Sequence, residues 1–218
     1  MIDYRAARLN MVDSQLRTNQ VTDGALLEAF LAVPRERFVP APLAGVAYAD
    51  EKLPIAPRRC LLEPMVLARM LQLLALLPGD RVLEVGAGTG CASAYLSRLA
   101  VNVIALESDA GLAATARARL KELGCSNVTV VEGPLPAGHA AGAPYDAILF
   151  DGAVAAIPET IADQLAEGGR LATVVKPDGT MGQAVLMMRA DGVLSQRPVF
   201  DAASQFLPGF EPAPGFVF

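Results

Sequence analysis

The stretch Val82-Leu83-Glu84-Val85-Gly86-Ala87-Gly88-Thr89-Gly90 decides how the rest of this chain is interpreted. Mostly apolar residues, as in a buried strand, run directly into three closely spaced glycines. Glycine lets the backbone turn sharply and approach a ligand closely, and a helix beginning after the last glycine presents free N–H groups. The stretch therefore predicts a strand, a ligand-binding loop and a helix in succession, with a purely structural tight turn as the alternative.

Glu107 ends the next predicted strand, about 20 residues beyond the first glycine, where an acidic side chain meets ribose hydroxyls in dinucleotide-type sites. A nicotinamide-binding loop is expected to read Gly-x-Gly-x-x-Gly, but the sixth position here is Cys91. The spacing therefore favours S-adenosylmethionine as the cofactor. Its predicted contacts are Glu84, Gly86, Ala87, Gly88, Thr89, Gly90 and Glu107. For Glu84, a solvated charge at the strand end is the alternative.

Strands and helices alternate from residue 62 onward. Predicted strands cover 81–85, 101–106, 128–131, 147–150 and 171–175, and predicted helices cover 62–77, 90–99, 109–123 and 157–166. Continuously apolar strands separated by helices are typical of a parallel sheet covered on both faces. Strands at 184–189 and 194–200, joined by Asp191-Gly192, favour an antiparallel hairpin at the sheet edge. We expect a Rossmann-like α/β fold.

The whole chain, 1–218, is expected to form one domain with three parts. Residues 1–61 are an N-terminal cover with helices at 3–20 and 22–31, residues 62–183 are the cofactor-binding core, and residues 184–218 are the hairpin and tail. Six prolines between 34 and 64 exclude a continuous helix and indicate an ordered, extended segment on the substrate side. The tail FLPGFEPAPGFVF is expected to lie extended against an apolar surface.

Composition excludes several classes of function. A net charge of −5 leaves no basic surface for a nucleic-acid backbone. The most apolar stretch, 65–77, contains Arg69 and is too short to cross a bilayer. Three widely spaced cysteines and one histidine form no metal-ligand pattern. With no apolar signal sequence at the N-terminus, the chain is expected to be cytoplasmic, with free thiols.

The chain resembles the protein-L-isoaspartate (D-aspartate) O-methyltransferases, class I methyltransferases that methylate the carboxylate of isoaspartyl residues in damaged proteins. The resemblance covers roughly residues 9–176, and its most specific part is Val33-Pro34-Arg35-Glu36-Arg37-Phe38-Val39-Pro40. It also rests on Gln15-Leu16-Arg17, Ala47-Tyr48-Ala49-Asp50, Leu53-Pro54-Ile55, the glycine stretch, Leu123-Gly124, Asn127-Val128, Pro144-Tyr145-Asp146-Ala147-Ile148, Ile157-Pro158 and Gln164-Leu165. The resemblance implies S-adenosylmethionine as methyl donor and an isoaspartyl peptide or protein as partner.

The chain departs from the family pattern where the family reads Gly-Gln-Thr-Ile-Ser-Gln-Pro. Here residues 58–64 read Arg-Arg-Cys-Leu-Leu-Glu-Pro, so Cys60 and Leu62 replace two hydroxyl residues. A guanidinium can hold a carboxylate through two parallel hydrogen bonds. Arg58, Arg59 and Cys60 are therefore the candidate substrate residues, with solvent-facing arginines and a partly buried thiol as the alternative.

Two further departures follow later strands. Gly133-Pro134-Leu135 stands in place of the family's Gly-Asp-Gly, and Gly133 remains a candidate cofactor contact. Asp151 follows the fourth core strand, where it either faces the cofactor or caps the next turn.

No catalytic acid or base is predicted, because a carboxylate with a pKa of about 3.9 is already ionised at neutral pH. The work of such an enzyme is to align the reacting atoms and exclude water. Three alternatives remain: a methyltransferase with another acceptor, a non-catalytic cofactor-binding module and, more distantly, a dehydrogenase.

Overall fold

The structure of the chain is a computed structural model that describes residues 2–177 and 181–212. Its strands are β1 (Leu53–Ala56), β2 (Arg59–Leu61), β3 (Arg81–Val85), β4 (Asn102–Glu107), β5 (Val128–Glu132), β6 (Tyr145–Val154), β7 (Leu165–Val175), β8 (Gly182–Ala190) and β9 (Val193–Ala202). Its α-helices are α1 (Tyr4–Met11), α2 (Gly24–Ala32), α3 (Pro64–Leu74), α4 (Cys91–Leu96), α5 (Ala110–Glu122) and α6 (Glu159–Ala162).

Seven strands form one sheet in the order β5-β4-β3-β6-β7-β8-β9. The pairs among β5, β4, β3, β6 and β7 are parallel, whereas β7–β8 and β8–β9 are antiparallel. The turn between β8 and β9 places Asp191 at φ 52° and Gly192 at φ 73°, as expected for a tight hairpin turn. The expected parallel sheet with an antiparallel edge hairpin is thus confirmed.

The strand register sets where the site lies. Val85, the last residue of β3, pairs with Leu106 on β4 and with Phe150 on β6. The residues that follow these three are Gly86, Glu107 and Asp151, so they meet at one edge of the sheet. Ligands of parallel α/β sheets bind at this edge, beyond the carboxyl ends of the strands.

The N-terminal segment covers one face of the sheet. Phe30 of α2 stacks on Tyr95 of α4 with ring centroids 4.0 Å apart, and both side chains are fully buried. The helix expected over 3–20 is not uniform: α1 ends at Met11, a π-helical turn spans Val12–Leu16, and a 3₁₀ turn ends at Asn19. Gln20, at φ 65°, then ends the helical path.

The proline-rich segment is ordered, as expected, but it contains more secondary structure than the sequence indicated. Two 3₁₀ helices span Arg35–Phe38 and Ala41–Val46. They precede an antiparallel hairpin of β1 and β2 that was not predicted. This hairpin carries Arg58 in its turn, at φ 59°, and Arg59 at the start of β2.

The described part of the tail packs against the sheet, as predicted, but it is not extended, because Phe210 N–H donates to the Leu207 carbonyl at 3.1 Å and closes a turn. Leu207 and Phe210 are buried, and the rings of Phe210 and Phe150 pack nearly perpendicular to each other, with centroids 5.5 Å apart. Residues 213–218 of the predicted tail lie outside the described residues. No helix among the described residues is both long and apolar enough to cross a bilayer.

Candidate functional site

The glycine loop is built as the sequence predicts. Gly86, Gly88 and Gly90 have φ values of 85°, 57° and 90°, a region that residues with a Cβ rarely adopt. The backbone N–H groups of Gly86 and Ala87 donate to the Leu106 carbonyl at 2.9 and 3.0 Å, which ties the loop to β4. Helix α4 begins directly afterwards at Cys91.

Neighbouring segments hold the remaining loop residues. Thr89 Oγ1 donates to the Phe38 carbonyl at 2.7 Å, so the loop is fastened to the first 3₁₀ helix of the cover. Gly90 N–H donates to Ala87 O at 2.9 Å, and Gly133 N–H donates to Glu107 O at 3.0 Å. The predicted loop residues and Gly133 therefore converge on one site.

Glu107 is the acidic group at the centre of this site, and it has no exposed surface. Its Oε2 accepts from the N–H of Gly88 at 2.8 Å, and its Oε1 accepts from the N–H of Ser108 and of Asp109 at 2.8 and 2.9 Å. The carboxylate thus fixes both the glycine loop and the start of the loop after β4. This is the position where ribose hydroxyls are recognised in dinucleotide-type folds.

Arg59 reaches the same carboxylate from the hairpin. Its Nη1 donates to Glu107 Oε1 at 2.7 Å and its Nη2 to Oε2 at 2.8 Å. Nη2 also donates to the Gly86 carbonyl at 3.0 Å. Burial alone would raise the pKa of Glu107, but the hydrogen bonds and charge of Arg59 outweigh it and hold that pKa below its usual value.

This contact shows where the Arg59 side chain lies. The guanidinium is almost fully buried and its donors face Glu107 and the loop. The solvent-facing alternative is therefore wrong for Arg59. Contact of Arg59 with a substrate carboxylate stays a prediction. Arg58, by contrast, is exposed and pairs with Glu211 of the tail at 2.7 Å.

Apolar side chains fill the open faces of two loop glycines. A Cβ built on Gly86 would lie 2.5 Å from Leu207 Cδ2, and one built on Gly88 would lie 2.8 Å from Ile55 Cδ1. Leu207 also covers Gly152 of β6, where an added Cβ would lie 2.7 Å from Leu207 Cδ2. These are the faces on which a cofactor would approach a glycine loop.

The space left beside these residues is small. A cavity of about 10 Å³ is bordered by Arg59, Asp151, Gly152 and Leu207, among others. Small-molecule sites usually enclose about 300–1,000 Å³. The residue types of the loop and Glu107 suit an adenosine cofactor, and in this conformation the side chains of Arg59, Ile55 and Leu207 occupy the space beside them.

Two further carboxyl groups are buried nearby. Asp151 lies inside β6 with its Oδ1 unpartnered, and Glu84 accepts a hydrogen bond from the Ser93 hydroxyl while its Oε1 is unpartnered. Burial raises the pKa of Asp151 to about 7, although Arg59 and Arg35 oppose the shift. Burial, and next the charge of Asp151, raise the pKa of Glu84. The turn cap for Asp151 and the solvated charge for Glu84 are both wrong.

Cys60 is the partly buried thiol that the alternative interpretation expected. Burial raises the pKa of its thiol to about 11, and the charge of Asp151 adds to the shift. The thiolate is therefore scarce at neutral pH, which argues against a nucleophile.

The structure adds site residues that sequence reasoning missed. Ile55 and Leu207 are ordinary apolar residues with no local signal, although the family-like Leu53-Pro54-Ile55 and the phenylalanine-rich tail mark their segments. A cleft of about 370 Å³ next to the site is lined by Lys52, Arg58 and Lys176, with Ser204, Gln205 and Phe206. Lys176 Nζ donates to the Ser204 carbonyl at 3.2 Å.

Comparison with known proteins identifies the relatives of this chain. Residues 7–208 match the family model of protein-L-isoaspartate(D-aspartate) O-methyltransferase. A protein-L-isoaspartate O-methyltransferase of Methylorubrum extorquens (strain PA1) is 47% identical over 190 residues, which is 87% of this chain and 82% of that protein.

Two solved structures share the architecture. A protein-L-isoaspartate O-methyltransferase superposes with a TM-score of 0.81 at 27% identity, covering 94% of this chain and 67% of that one. A Plasmodium falciparum protein in complex with S-adenosyl-L-homocysteine has a TM-score of 0.79 at 19% identity, covering 94% and 98% of the two chains. The second shows the likeness of fold alone.

Proposed function

The chain belongs to the protein-L-isoaspartate(D-aspartate) O-methyltransferase family, and from this premise we propose that it transfers a methyl group from S-adenosylmethionine to the carboxylate of isoaspartyl residues in proteins. The observation that carries the proposal is the match over residues 7–208, which spans the cover, the glycine loop and the sheet. A relative 47% identical over most of both chains supports it.

The acceptor chemistry needs little from the protein's own titratable groups. An isoaspartyl carboxylate, with a pKa of about 3.9, is ionised at neutral pH and needs no base. Binding and alignment of the carboxylate are what remain. A site without an activated histidine or cysteine is compatible with this reaction, and the raised pKa of Cys60 agrees with it.

The cleft beside the site supports an acidic acceptor. Lys52, Arg58 and Lys176 line it, and positive charge raises the local concentration of anionic ligands. Arg58 is largely exposed, in an ion pair that bulk water weakens. Arg58 therefore remains our candidate for contact with a peptide carboxylate. In this conformation the donors of Arg59 are used by Glu107 and Gly86 instead.

The loss of the family's hydroxyl residues favours a second candidate function, methyl transfer to another acceptor. Leu62 is 1% exposed and belongs to the apolar core, so this position offers a substrate no hydrogen bond. An acceptor that depends on that hydroxyl would bind poorly. An acidic peptide that is held by the cleft of Lys52, Arg58 and Lys176 would not need a hydroxyl at position 62.

The test is transfer of labelled methyl groups to an isoaspartyl peptide and to its normal aspartyl twin. We expect label in the isoaspartyl peptide alone, released by mild base because a carboxyl methyl ester is hydrolysed there. Equal labelling of both peptides would point to a general carboxyl methyltransferase. Labelling of neither peptide, in a sample that binds the cofactor, would overturn the isoaspartyl assignment.

A further inference from the structure

We propose that Arg59, Ile55 and Leu207 form an internal plug that occupies the cofactor site and competes with S-adenosylmethionine for it. The inference rests on the proposed function, and it adds a step to it: the β1–β2 hairpin and the tail must leave the glycine loop before the cofactor binds. Three separate sets of contacts carry the proposal.

The first set replaces the hydrogen bonds of a ribose. Arg59 donates one N–H to each oxygen of Glu107, at 2.7 and 2.8 Å. A pair of ribose hydroxyls would donate to the same oxygens in a dinucleotide-type site. Together with the backbone N–H groups of the loop, Arg59 leaves this buried carboxylate fully hydrogen-bonded without a ligand.

The second set replaces the apolar contacts of a ligand on the loop. Leu207 packs against Gly86 and Gly152, and Ile55 packs against Gly88. Leu207 is held there by the backbone, because its N–H donates to the Ala153 carbonyl at 2.9 Å. In the other direction, Ala153 N–H donates to the Gln205 carbonyl at 2.8 Å. The tail therefore has a defined seat on β6.

The third set joins the two halves of the plug. Arg58, next to Arg59 in the hairpin turn, pairs with Glu211 of the tail at 2.7 Å. The Arg58 side chain is 78% exposed, so this link contributes little energy and is readily broken. The hairpin and the tail can thus separate at the surface while each carries its own part of the plug.

The plug has a measurable consequence for affinity. When only a fraction of molecules is open, the apparent dissociation constant is the intrinsic one divided by that fraction. Opening also removes the cation from Glu107, and an unpaired buried carboxylate is costly unless new donors arrive. We therefore expect weak binding by the unmodified chain and tighter binding once the plug is weakened.

The experiment measures binding of S-adenosylhomocysteine, a stable analogue of the donor, by calorimetry to four proteins. These are the unmodified chain, Arg59→Gln, Leu207→Ala and the control Arg170→Gln. Arg170 forms a similar, mostly buried pair with Asp80 at 2.7 Å. That pair lies at the opposite end of β3, since Asp80 precedes the strand and Gly86 follows it. We expect Arg59→Gln and Leu207→Ala each to bind at least tenfold more tightly and Arg170→Gln to bind like the unmodified chain.

Two variants guard against a folding failure. If Arg59→Gln has no cooperative thermal transition, Leu207→Ala decides, since it leaves the ion pair intact.

Hydrogen exchange of the unmodified chain at saturating S-adenosylhomocysteine adds a second readout. We expect faster exchange over 53–61 and 205–210, because those segments leave the loop. Equal affinity in all four proteins, no binding by any of them, or greater protection of both segments on binding would each overturn the plug.

The outcomes separate the plug from the proposed function. Methyl transfer to the isoaspartyl peptide is measured on the same four samples. Tenfold tighter binding without transfer would keep the plug and reject the isoaspartyl function. Transfer by the unmodified chain, with an affinity that neither plug variant changes, would keep the function and reject the plug.

Discussion

Arg35, which has no exposed surface, donates its Nη2 to the main-chain carbonyl of Leu62 at 2.6 Å. Its Nε donates to the Ala47 carbonyl at 2.8 Å. One buried guanidinium therefore joins the Val-Pro-Arg-Glu-Arg-Phe segment to the end of the hairpin that carries Arg59. The most specific family-like segment of the sequence is thus a brace for the cover of the site.

We expect Arg35→Ala to lower the free energy of unfolding by about 3 kcal/mol or more, because two buried carbonyls lose their donor. Urea denaturation measures the change. Arg37→Ala is the matched control, since Arg37 is half-exposed in an ion pair with Glu122, and its loss should cost less than about 1 kcal/mol. Equal costs for the two variants would contradict the bracing role.

The buried Asp151 carboxyl should make the chain less stable as the pH rises from about 4 to about 7. The pKa of Asp151 is raised by burial to about 7 in the folded chain, against about 3.9 when unfolded. The folded chain therefore holds a proton that the unfolded chain has released, and its free energy of unfolding decreases between about pH 4 and pH 7.

Asp151→Asn cannot lose this proton. The variant should gain stability over the unmodified chain as the pH rises, by roughly 2–4 kcal/mol at pH 8 and by little near pH 4. Thermal or urea unfolding across this range provides the measurement. The exposed Asp13→Asn serves as control, and a stability gap for Asp151→Asn that does not change with pH would refute the assignment.

Leu62 should be needed for packing. Replacing it with serine, the residue the family resemblance implies here, removes buried apolar volume at a site that is 1% exposed. We expect Leu62→Ser to cost about 3 kcal/mol, whereas Leu62→Met, which keeps the volume, should cost less than about 1.5 kcal/mol. Urea denaturation distinguishes them, and an unaffected serine variant would show that the position is open to water.

The cationic cleft should act on substrate binding. Under the proposed function, Lys52→Gln and Lys176→Gln should each raise KM for an acidic isoaspartyl peptide severalfold and leave kcat nearly unchanged, because charge steers and holds an anionic ligand. The effect should shrink at 0.5 M salt, where exposed charges are screened. Lys121→Gln, on α5, is the control. A fall in kcat with constant KM would place these lysines elsewhere in the mechanism.

The sequence predicted the parts of the site that depend on local pattern. Strand, glycine loop and acidic strand end follow from residue type and spacing, and parallel register then brings Gly86, Glu107 and Asp151 to one edge. Element ends were less accurate. The helix expected over 157–166 is only α6, Glu159–Ala162, because β7 already begins at Leu165.

The occupants of the site could not be predicted, because they come from distant positions. Arg59 and Glu107 are separated by 48 residues in sequence, and Leu207 reaches Gly86 from beyond β9. The sequence alone leaves open whether Arg58 or Arg59 would hold a substrate carboxylate. The hairpin turn places them differently: it leaves Arg58 at the surface and buries Arg59.

The seat of Leu207 on Gly86 also sets an order of events during synthesis. Strands β3, β4, β5 and β6, which position the glycine loop, lie far upstream of Leu207 in the chain, so they can emerge from the ribosome and begin to associate before residue 207 does. Synthesis proceeds at about 5–20 residues per second. We therefore expect Gly86 to be accessible to small molecules in the interval before Leu207 packs against it.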